Sequence, residues 1–237
     1  MSTSSIPVIT IDGPSGTGKG TISRILAQEL GFHFLDSGAL YRILGLAARR
    51  SGVDLTDESV LASLVGRLDV SFGVDAYNVE TTIRLAGDDV TDLIRTEAAG
   101  KDASSVAVFP AVRTALLARQ RAFRQPPGLV ADGRDMGTVI FPDATLKIFL
   151  TASVEERARR RAKQLLAKGI DVSIEHLAVE LAARDERDSA RSVAPMVPAV
   201  DAIEVDTTSV SIVDVVAQVR DLWRQRSPVP VAFVERF

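Results

Sequence analysis

Short apolar runs alternate with helical repeats along this chain. Residues 6–12, IPVITID, form a β-branched apolar run that ends directly in a glycine-rich turn. Such a run is typical of a buried strand that enters a loop. From Lys19 to Leu30 the apolar residues recur at helical spacing, and Gly31 stands where a C-terminal glycine is expected. The pattern therefore predicts a strand, a loop and a helix in succession.

The same alternation continues after the first helix and is interrupted once. Apolar residues alternate with a period of two between 69 and 87, which predicts a small antiparallel meander. The other predicted helices span about 39–50, 57–68, 111–124, 154–168, 174–189 and 212–225, and the other predicted strands span 33–35, 128–131, 146–150 and 202–205. Five strands that alternate with helices predict an α/β fold of three layers around a parallel five-stranded sheet.

The chain reads as one α/β domain that carries two inserts. It has no internal repeat, low-complexity tract or proline-rich linker that would separate domains. The meander region, about 61–104, is the first insert, and an arginine-rich helical pair, about 155–191, is the second. The predicted core comprises about 1–60, 105–154 and 192–237.

Composition excludes several classes of protein. The 237 residues include no cysteine and only two histidines, His33 and His176, which excludes disulfides and argues against a His-rich metal centre. A net charge of −3 argues against a nucleic-acid partner. The chain begins without the pattern of a signal peptide and has no apolar stretch of membrane-spanning length, so we expect a cytoplasmic protein with no membrane partner.

The strongest chemical signal is the sequence GPSGTGK, Gly13 to Lys19, which satisfies the phosphate-loop pattern between a predicted strand and a predicted helix. Glycines let such a loop curl so that backbone N–H groups face phosphate oxygens, and the lysine reaches the β- and γ-phosphates. The alternative is a glycine-rich turn with an exposed lysine. The residues predicted to bind ATP here are Gly13, Pro14, Ser15, Gly16, Thr17, Gly18, Lys19, Gly20 and Thr21.

Two carboxylates accompany this loop. Gly20 stands where the common form of the motif has a Ser or Thr that contacts Mg²⁺, so coordination from that position is in question. Asp12 directly precedes the loop, and Asp132 ends an apolar strand. Either carboxylate could orient Mg²⁺ through water, and either could instead cap a loop.

Three segments together carry a resemblance to a known family. Residues 11–21 (IDGPSGTGKGT), 36–42 (DSGALYR) and 131–139 (ADGRDMGTV) resemble the bacterial cytidylate kinases, a family of nucleoside monophosphate kinases with a phosphate loop. The resemblance extends over roughly 6–206. It implies a P-loop kinase core, ATP with Mg²⁺ as the phosphoryl donor, and CMP or dCMP as the acceptor. It also implies that the first insert binds the monophosphate and that the second is a mobile helical lid.

Arginines on the second insert fit phosphoryl transfer, which needs positive charge on the phosphate oxygens. Arg157 and Arg161 are four residues apart on one predicted helix, while Arg184, Asp188 and Arg191 share a face of the next. The alternative is a solvated helix with internal ion pairs. Arg157 and Arg161 are predicted to bind ATP. The resemblance supports Arg184 and Arg191, which form the predicted catalytic set with Lys19 and Arg134.

The acceptor site draws on further positions. Arg42 follows a helix start and Arg134 follows a strand end, so both could hold the acceptor phosphate or form surface ion pairs. Ser37 could contact the substrate or only cap its helix. By resemblance, Asp135, Ser104 and Ser37 face the base, Arg113 donates to its acceptors, and Arg184 and Asp188 lie near the sugar and phosphate. The predicted substrate-binding set also includes Arg134 and Arg191.

The sequence thus predicts a monomeric, ATP-dependent kinase of CMP and dCMP. One alternative is a kinase of UMP, AMP or a small metabolite on the same core. A second is a regulatory module that binds a nucleotide without phosphorylating anything, and a third is nucleic-acid binding through the arginine helices. The acidic composition disfavours the third alternative.

Overall fold

A computed structural model describes residues 6–74, 81–167 and 169–227. The chain forms two compact units, one comprising Met1–Leu35 with Phe123–Phe237 and the other comprising Asp36–Ala122. Residues 75–80 of the predicted meander region, Lys168 at the end of a predicted helix, and the predicted core from 228 onwards lie outside the described residues. The predicted division into core, insert and lid stays a prediction, because compactness does not show which segment binds a substrate.

Strands and helices follow one another largely as the sequence predicts. The strands are β1 (Val8–Asp12), β2 (His33–Asp36), β3 (Val70–Val74), β4 (Thr81–Leu85), β5 (Asp88–Asp89), β6 (Leu129–Asp132), β7 (Leu146–Thr151) and β8 (Ile203–Asp206). The α-helices are α1 (Lys19–Leu30), α2 (Ser37–Arg50), α3 (Glu58–Gly66), α4 (Glu97–Val106), α5 (Pro110–Arg121), α6 (Val154–Leu166), α7 (Ile174–Ser189) and α8 (Ile212–Arg226). A 3₁₀ turn spans Leu93–Arg95 and a π-helix spans Met136–Ile140.

The first unit is built on the predicted five-stranded sheet, in the order β2-β6-β1-β7-β8. Strand β1 pairs in parallel with β6 and β7, and β7 pairs in parallel with β8. Every residue of β1 and β6 is buried, as expected for strands covered on both faces. The carboxyl ends of these parallel strands therefore meet at one edge of the sheet, where α/β folds bind ligands.

Helices α1 and α8 cover this sheet and form the main core. Ile22 and Leu26 of α1 are fully buried against the central strands, as their helical spacing predicts. Trp223 of α8 meets Phe32 edge to face, with ring centroids 5.7 Å apart. Helices α6 and α7 bury a smaller cluster of their own, formed by Ala158, Leu165 and Leu177.

The second unit contains the antiparallel strands β3, β4 and β5, which confirm the meander over the described residues. Helix α4 was not predicted, because its sequence EAAGKDASSV contains few large apolar residues. Thr96 caps its first turn by accepting a hydrogen bond from the Ala99 N–H. Within the described residues, no helix is both long and apolar enough to cross a membrane.

Close packing of α2 on α4 depends on a glycine. A Cβ at Gly45 would lie 2.8 Å from the Cβ of Asp102, closer than real side chains approach. Rotation of the Asp102 side chain cannot relieve this contact, because the backbone of α4 fixes the position of the Cβ atom. The backbones of the two helices therefore approach as closely as they do only because position 45 has no side chain.

We predict that Gly45→Ala lowers the free energy of unfolding by about 1–3 kcal/mol, because the overpacked contact forces α2 and α4 apart. The matched control is Gly66→Ala in α3, where a Cβ would meet nothing within 4 Å. Because alanine has a higher helix propensity than glycine, Gly66→Ala should leave the free energy of unfolding unchanged or raise it by up to about 1 kcal/mol. Urea denaturation of both variants measures the difference, and equal stabilities would contradict the packing argument.

Candidate active site

The phosphate loop joins β1 to α1, in the context that the sequence predicts. Its first glycine, Gly13, has a φ of 134°, and a Cβ there would lie 2.1 Å from the carbonyl oxygen of Leu150. Its last glycine, Gly18, has a φ of 93° and begins α1 by accepting hydrogen bonds from Thr21 and Ile22 at 3.1 and 3.0 Å. A side chain at either position would strain the loop.

Carbonyl groups of the loop are held by donors from the protein. The Pro14 carbonyl accepts hydrogen bonds from the Lys19 ammonium at 2.6 Å and the Thr17 hydroxyl at 3.1 Å. The Thr207 hydroxyl lies 3.1 Å from the Thr17 carbonyl oxygen and 3.0 Å from that of Thr151, and it shares its one hydrogen between them. The C=O and N–H of a trans peptide point in opposite directions. Fixing these carbonyls therefore turns the N–H groups of the next residues, Ser15 and Gly18, away from the donors, as a phosphate-binding loop requires.

Lys19 occupies a buried position among other charges. Burial, reinforced by repulsion from Arg134 and Arg184, holds the pKa of its ammonium well below the usual range. The carboxylates of Asp132 and Asp12 act in the opposite direction. The structure thus brings together five residues that the sequence singled out. A bound anion such as a phosphate would raise the pKa of Lys19 again.

The glycine at position 20 leaves room for a carboxylate. Asp132, the last residue of β6, pairs in register with Ile11 on β1 and is largely buried. A Cβ at Gly20 would lie 3.3 Å from its Oδ2 atom. A carboxylate therefore reaches the phosphate loop beside the position where the common motif has a hydroxyl.

Asp12 organises the segment that follows β6. Its two carboxylate oxygens accept hydrogen bonds from the backbone N–H groups of Met136 at 2.9 Å and Gly137 at 2.8 Å. Burial raises the pKa of Asp12 to about 7, against these two donors, which lower it. The loop-capping alternative from the sequence analysis thus has a defined partner here, while a role in orienting Mg²⁺ stays a prediction.

Two arginines that are distant in sequence meet on one carboxylate. Asp188 of α7 is almost fully buried, and it accepts hydrogen bonds from Arg134 at 3.1 Å and from Arg191. Arg184 is close enough to Lys19 to affect its pKa. Helix α7 ends at Ser189, so Arg191 lies beyond it and the predicted helix face shared by 184, 188 and 191 is wrong for Arg191. The three side chains still gather charge near the phosphate loop, because Arg191 turns back onto Asp188. Their roles toward a substrate stay predictions.

The two arginines of α6 have different surroundings. Arg157 is buried and donates to the Ser15 carbonyl of the phosphate loop at 3.1 Å. Arg161 is half-buried and donates to Gln164, three residues along the same helix, at 3.1 Å. The predicted pair therefore shares a helix face, but only Arg157 has a hydrogen bond to the loop among these contacts.

Asp135 lies at the start of an unusual turn. It directly precedes the π-helix, and its carbonyl accepts hydrogen bonds from Val139 and Ile140 at 2.9 and 3.2 Å. Its side chain is buried, and its charge raises the pKa of Asp12. The residue predicted to read the base is therefore held at the same sheet edge as Asp12. Sequence periodicity did not predict the π-helix.

The second unit holds four predicted acceptor residues, and two are on α2. The helix cap is Asp36, whose carboxylate accepts a hydrogen bond from Ala39 at 3.0 Å, so the alternative that Ser37 caps the helix is wrong. Ser37 is instead the first residue of the helix and is buried. Arg42 donates to the Ile94 carbonyl at 3.0 Å.

The other two predicted acceptor residues lie on α4 and α5. The Ser104 hydroxyl donates to the Gly100 carbonyl at 3.1 Å, so toward a ligand it offers acceptor lone pairs. Arg113 is buried over the ring of Tyr41 at 5.7 Å and donates to the Ala107 carbonyl at 3.2 Å. Both side chains are thus fixed within this unit.

Two residues near the phosphate loop were missed by the sequence analysis. Thr207 follows β8 and donates to Thr17, 190 positions away, which no local pattern could indicate. Asp185 pairs with Arg157 at 2.6 Å. Its spacing of three residues from Asp188 on α7 was an available signal. Among the described residues, no group of three or more acidic or histidine side chains is arranged to hold a metal ion.

Comparison of the sequence with known proteins identifies the family of this chain. The family model described as "Cytidylate kinase" matches residues 9–225. A cytidylate kinase from Stutzerimonas stutzeri (strain A1501) is 60% identical over 214 residues, which cover 90% of this chain and 93% of the relative. One from Pseudomonas syringae pv. syringae (strain B728a) is 62% identical over 213 residues, with the same coverage. The chain therefore belongs to the cytidylate kinase family.

Proposed function

We propose that this protein transfers the γ-phosphoryl group of ATP to CMP and dCMP, which yields CDP and dCDP. Membership of the cytidylate kinase family supports this reaction over a kinase of UMP, AMP or a metabolite. The observation that carries the proposal is the group of cationic side chains at the phosphate loop, where Lys19 lies near Arg134 and Arg184. A monomeric state, a cytoplasmic location and a role in pyrimidine nucleotide metabolism stay predictions.

The charges suit phosphoryl transfer because the reacting phosphates carry most of the negative charge in the transition state. Buried donors that are already oriented stabilise that charge without reorganising. Asp188 orients Arg134 and Arg191 and offsets their mutual repulsion before phosphates arrive. Once ATP binds, its phosphates restore the charge of Lys19, which burial and the arginines disfavour in their absence.

The acceptor needs no general base. A phosphate monoester has a second pKa near 6, so its oxygen is already largely anionic at neutral pH. The carboxylate of Asp12 serves the backbone of Met136 and Gly137. A hydroxyl acceptor would instead favour a carboxylate positioned to take its proton. These features support a phosphate acceptor over a metabolite alcohol.

Mg²⁺ fits the residues beside the phosphate loop. Asp132 presents hard oxygen ligands close to Gly20, and a site with few carboxylates suits an ion that keeps waters and binds phosphate oxygens. We propose that Asp132 holds this ion directly or through water, and that Asp12 contributes through the segment it anchors. When bound, Mg²⁺ neutralises phosphate charge.

Base recognition is proposed to rest on hydrogen-bond acceptors that face the amino group of cytosine. Asp135 carries a buried carboxyl, and Ser104 has its donor engaged with Gly100. The N4 amino group of cytosine donates, whereas uracil has an acceptor oxygen at the same position. Arg113 is proposed to donate to the acceptors of the base, while Ser37 and Arg42 contribute to binding of the monophosphate.

Lys19→Ala tests the phosphate-loop assignment. We expect kcat for CMP phosphorylation to fall by about a hundredfold or more, because a donor that acts on transition-state charge is lost. A coupled assay for ADP release measures the effect. Lys163→Ala, an exposed lysine on α6, is the control and should retain wild-type turnover. Near-normal kcat in folded Lys19→Ala would exclude the assignment.

Substitution of Asp135 tests the choice of base. Asp135→Ala should reduce kcat/KM for CMP far more than for UMP, because it removes both the attraction for N4 and the repulsion of the uracil oxygen. The CMP to UMP ratio should narrow about tenfold to a few hundredfold. Asp135→Asn, which can donate to uracil, should narrow it further. An unchanged CMP to UMP ratio in both variants, with normal circular dichroism spectra, would show that Asp135 does not read the base. Base recognition would then be assigned to Arg113 and Ser104.

Hydrogen exchange tests the proposed lid, residues 155–191. Helices α6 and α7 share only a small apolar cluster, so we expect fast amide exchange without ligands and slower exchange with an ATP analogue and CMP bound together. Peptides from the buried strands β1 and β7 are the internal reference and should exchange slowly in both states. Equal protection of 155–191 with and without ligands would rule out a lid.

A further inference from the structure

Each of the three guanidinium nitrogens of Arg157 contacts a group of the protein. The Nε atom donates to the Ala152 carbonyl at 3.0 Å, Nη1 donates to the Ser15 carbonyl at 3.1 Å, and Nη2 lies 2.6 Å from the Oδ2 atom of Asp185. The side chain is only 3% exposed. One arginine thus links the end of β7, the phosphate loop and α7.

The contact with the loop is steric as well as polar. A Cβ at Gly16 would lie 3.0 Å from the Cβ of Arg157, so the first turn of α6 packs directly on the loop. Ser15 and Gly16 share a peptide group. Fixing the Ser15 carbonyl on Arg157 therefore turns the Gly16 N–H in the opposite direction, away from α6. The carbonyls of Pro14 and Thr17 accept hydrogen bonds from other donors. With Arg157, the carbonyls of Pro14, Ser15 and Thr17 are therefore all held by protein donors.

Asp185 determines where the arginine points. Its carboxylate is largely buried, with 19% of the side chain exposed. Among the three contacts of Arg157 given above, Asp185 is the charged one. A buried guanidinium that loses its carboxylate is left with an uncompensated charge and shifts toward water or toward another anion. Asp185 also stands one turn before Asp188, which holds Arg134 and Arg191. The two carboxylates tie α7 to the phosphate loop and to the arginine cluster.

We propose that Arg157, oriented by Asp185, is a positioning residue that holds the phosphate loop in the conformation that binds ATP. Under this proposal it acts through the Ser15 carbonyl and not by direct contact with the nucleotide, which refines the prediction that Arg157 binds ATP. The proposal rests on the proposed function only in that the loop binds ATP.

The substitution Asp185→Asn distinguishes a positioning role of Arg157 from direct contact with ATP, because the two roles predict different changes in ATP affinity. If Arg157 holds the loop, loss of the carboxylate weakens its orientation and weakens ATP binding. If Arg157 contacts the nucleotide directly, the same change removes a competitor for the guanidinium, and ATP binding is unchanged or tighter.

The experiment is calorimetric titration of the full-length protein with Mg²⁺ and a non-hydrolysable ATP analogue. Arg157→Lys, which keeps the charge but loses the planar fork, and Asp185→Asn should each weaken binding about tenfold or more. The double variant should be little worse than either single variant, because both changes break one unit. Arg159→Lys is the matched control, since Arg159 is 60% exposed on the same helix and pairs with Glu156, and it should bind like wild type.

A purely structural role would lower the melting temperature and the fraction of active protein without changing the dissociation constant of that fraction. CMP binding, titrated separately, should change less than twofold in both variants. Unchanged or tighter binding of the ATP analogue to Asp185→Asn, or additive losses in the double variant, would overturn the proposal. Wild-type turnover of CMP tests the proposed function independently, because the calorimetric comparison requires only that the loop binds a triphosphate.

Discussion

The structure depends on keeping positive charge buried at the phosphate loop before any phosphate is present. Lys19 lies near Arg134 and Arg184, and both its burial and repulsion from these arginines disfavour its charged form. Carboxylates offset this positive charge, since Asp132 and Asp12 favour the charged form of Lys19 while Asp188 accepts hydrogen bonds from Arg134 and Arg191. A site balanced in this way is ready for a strongly anionic ligand, because the incoming phosphates take over the role of the internal carboxylates.

The parallel sheet makes this balance possible. Strand β1 leads directly into the loop, and its last residue, Asp12, reaches across to the segment after β6. Because β1 and β6 are neighbours in register, Asp12 and Asp132 emerge at the same edge. The π-helix that follows places Asp135 there as well, so residues proposed for the metal, the phosphates and the base all start from one sheet edge.

Helix α7 contributes mainly through its acidic residues. Its arginines were the visible signal in the sequence, yet Asp185 and Asp188 are the residues that orient arginines from other elements. Exposed ion pairs on the same pair of helices, such as Arg159 with Glu156, add little by comparison because water screens them. Burial distinguishes the ion pairs that position site residues from those that lie on the solvent-exposed face of a helix.

The sequence by itself determined the elements and the motif. The strand–loop–helix around Gly13 to Lys19, the five strands of the sheet and the shared helix face of residues 184 and 188 follow from local spacing, which the backbone imposes over one or two turns. Only the tertiary structure decided which groups meet across the chain. The bonds from Arg157 to Ser15 and from Thr207 to Thr17 join residues 142 and 190 positions apart, and Asp12 finds its partners beyond β6. Helix α4 and the π-helix also depend on packing, because their sequences lack the apolar periodicity that defines a helix locally.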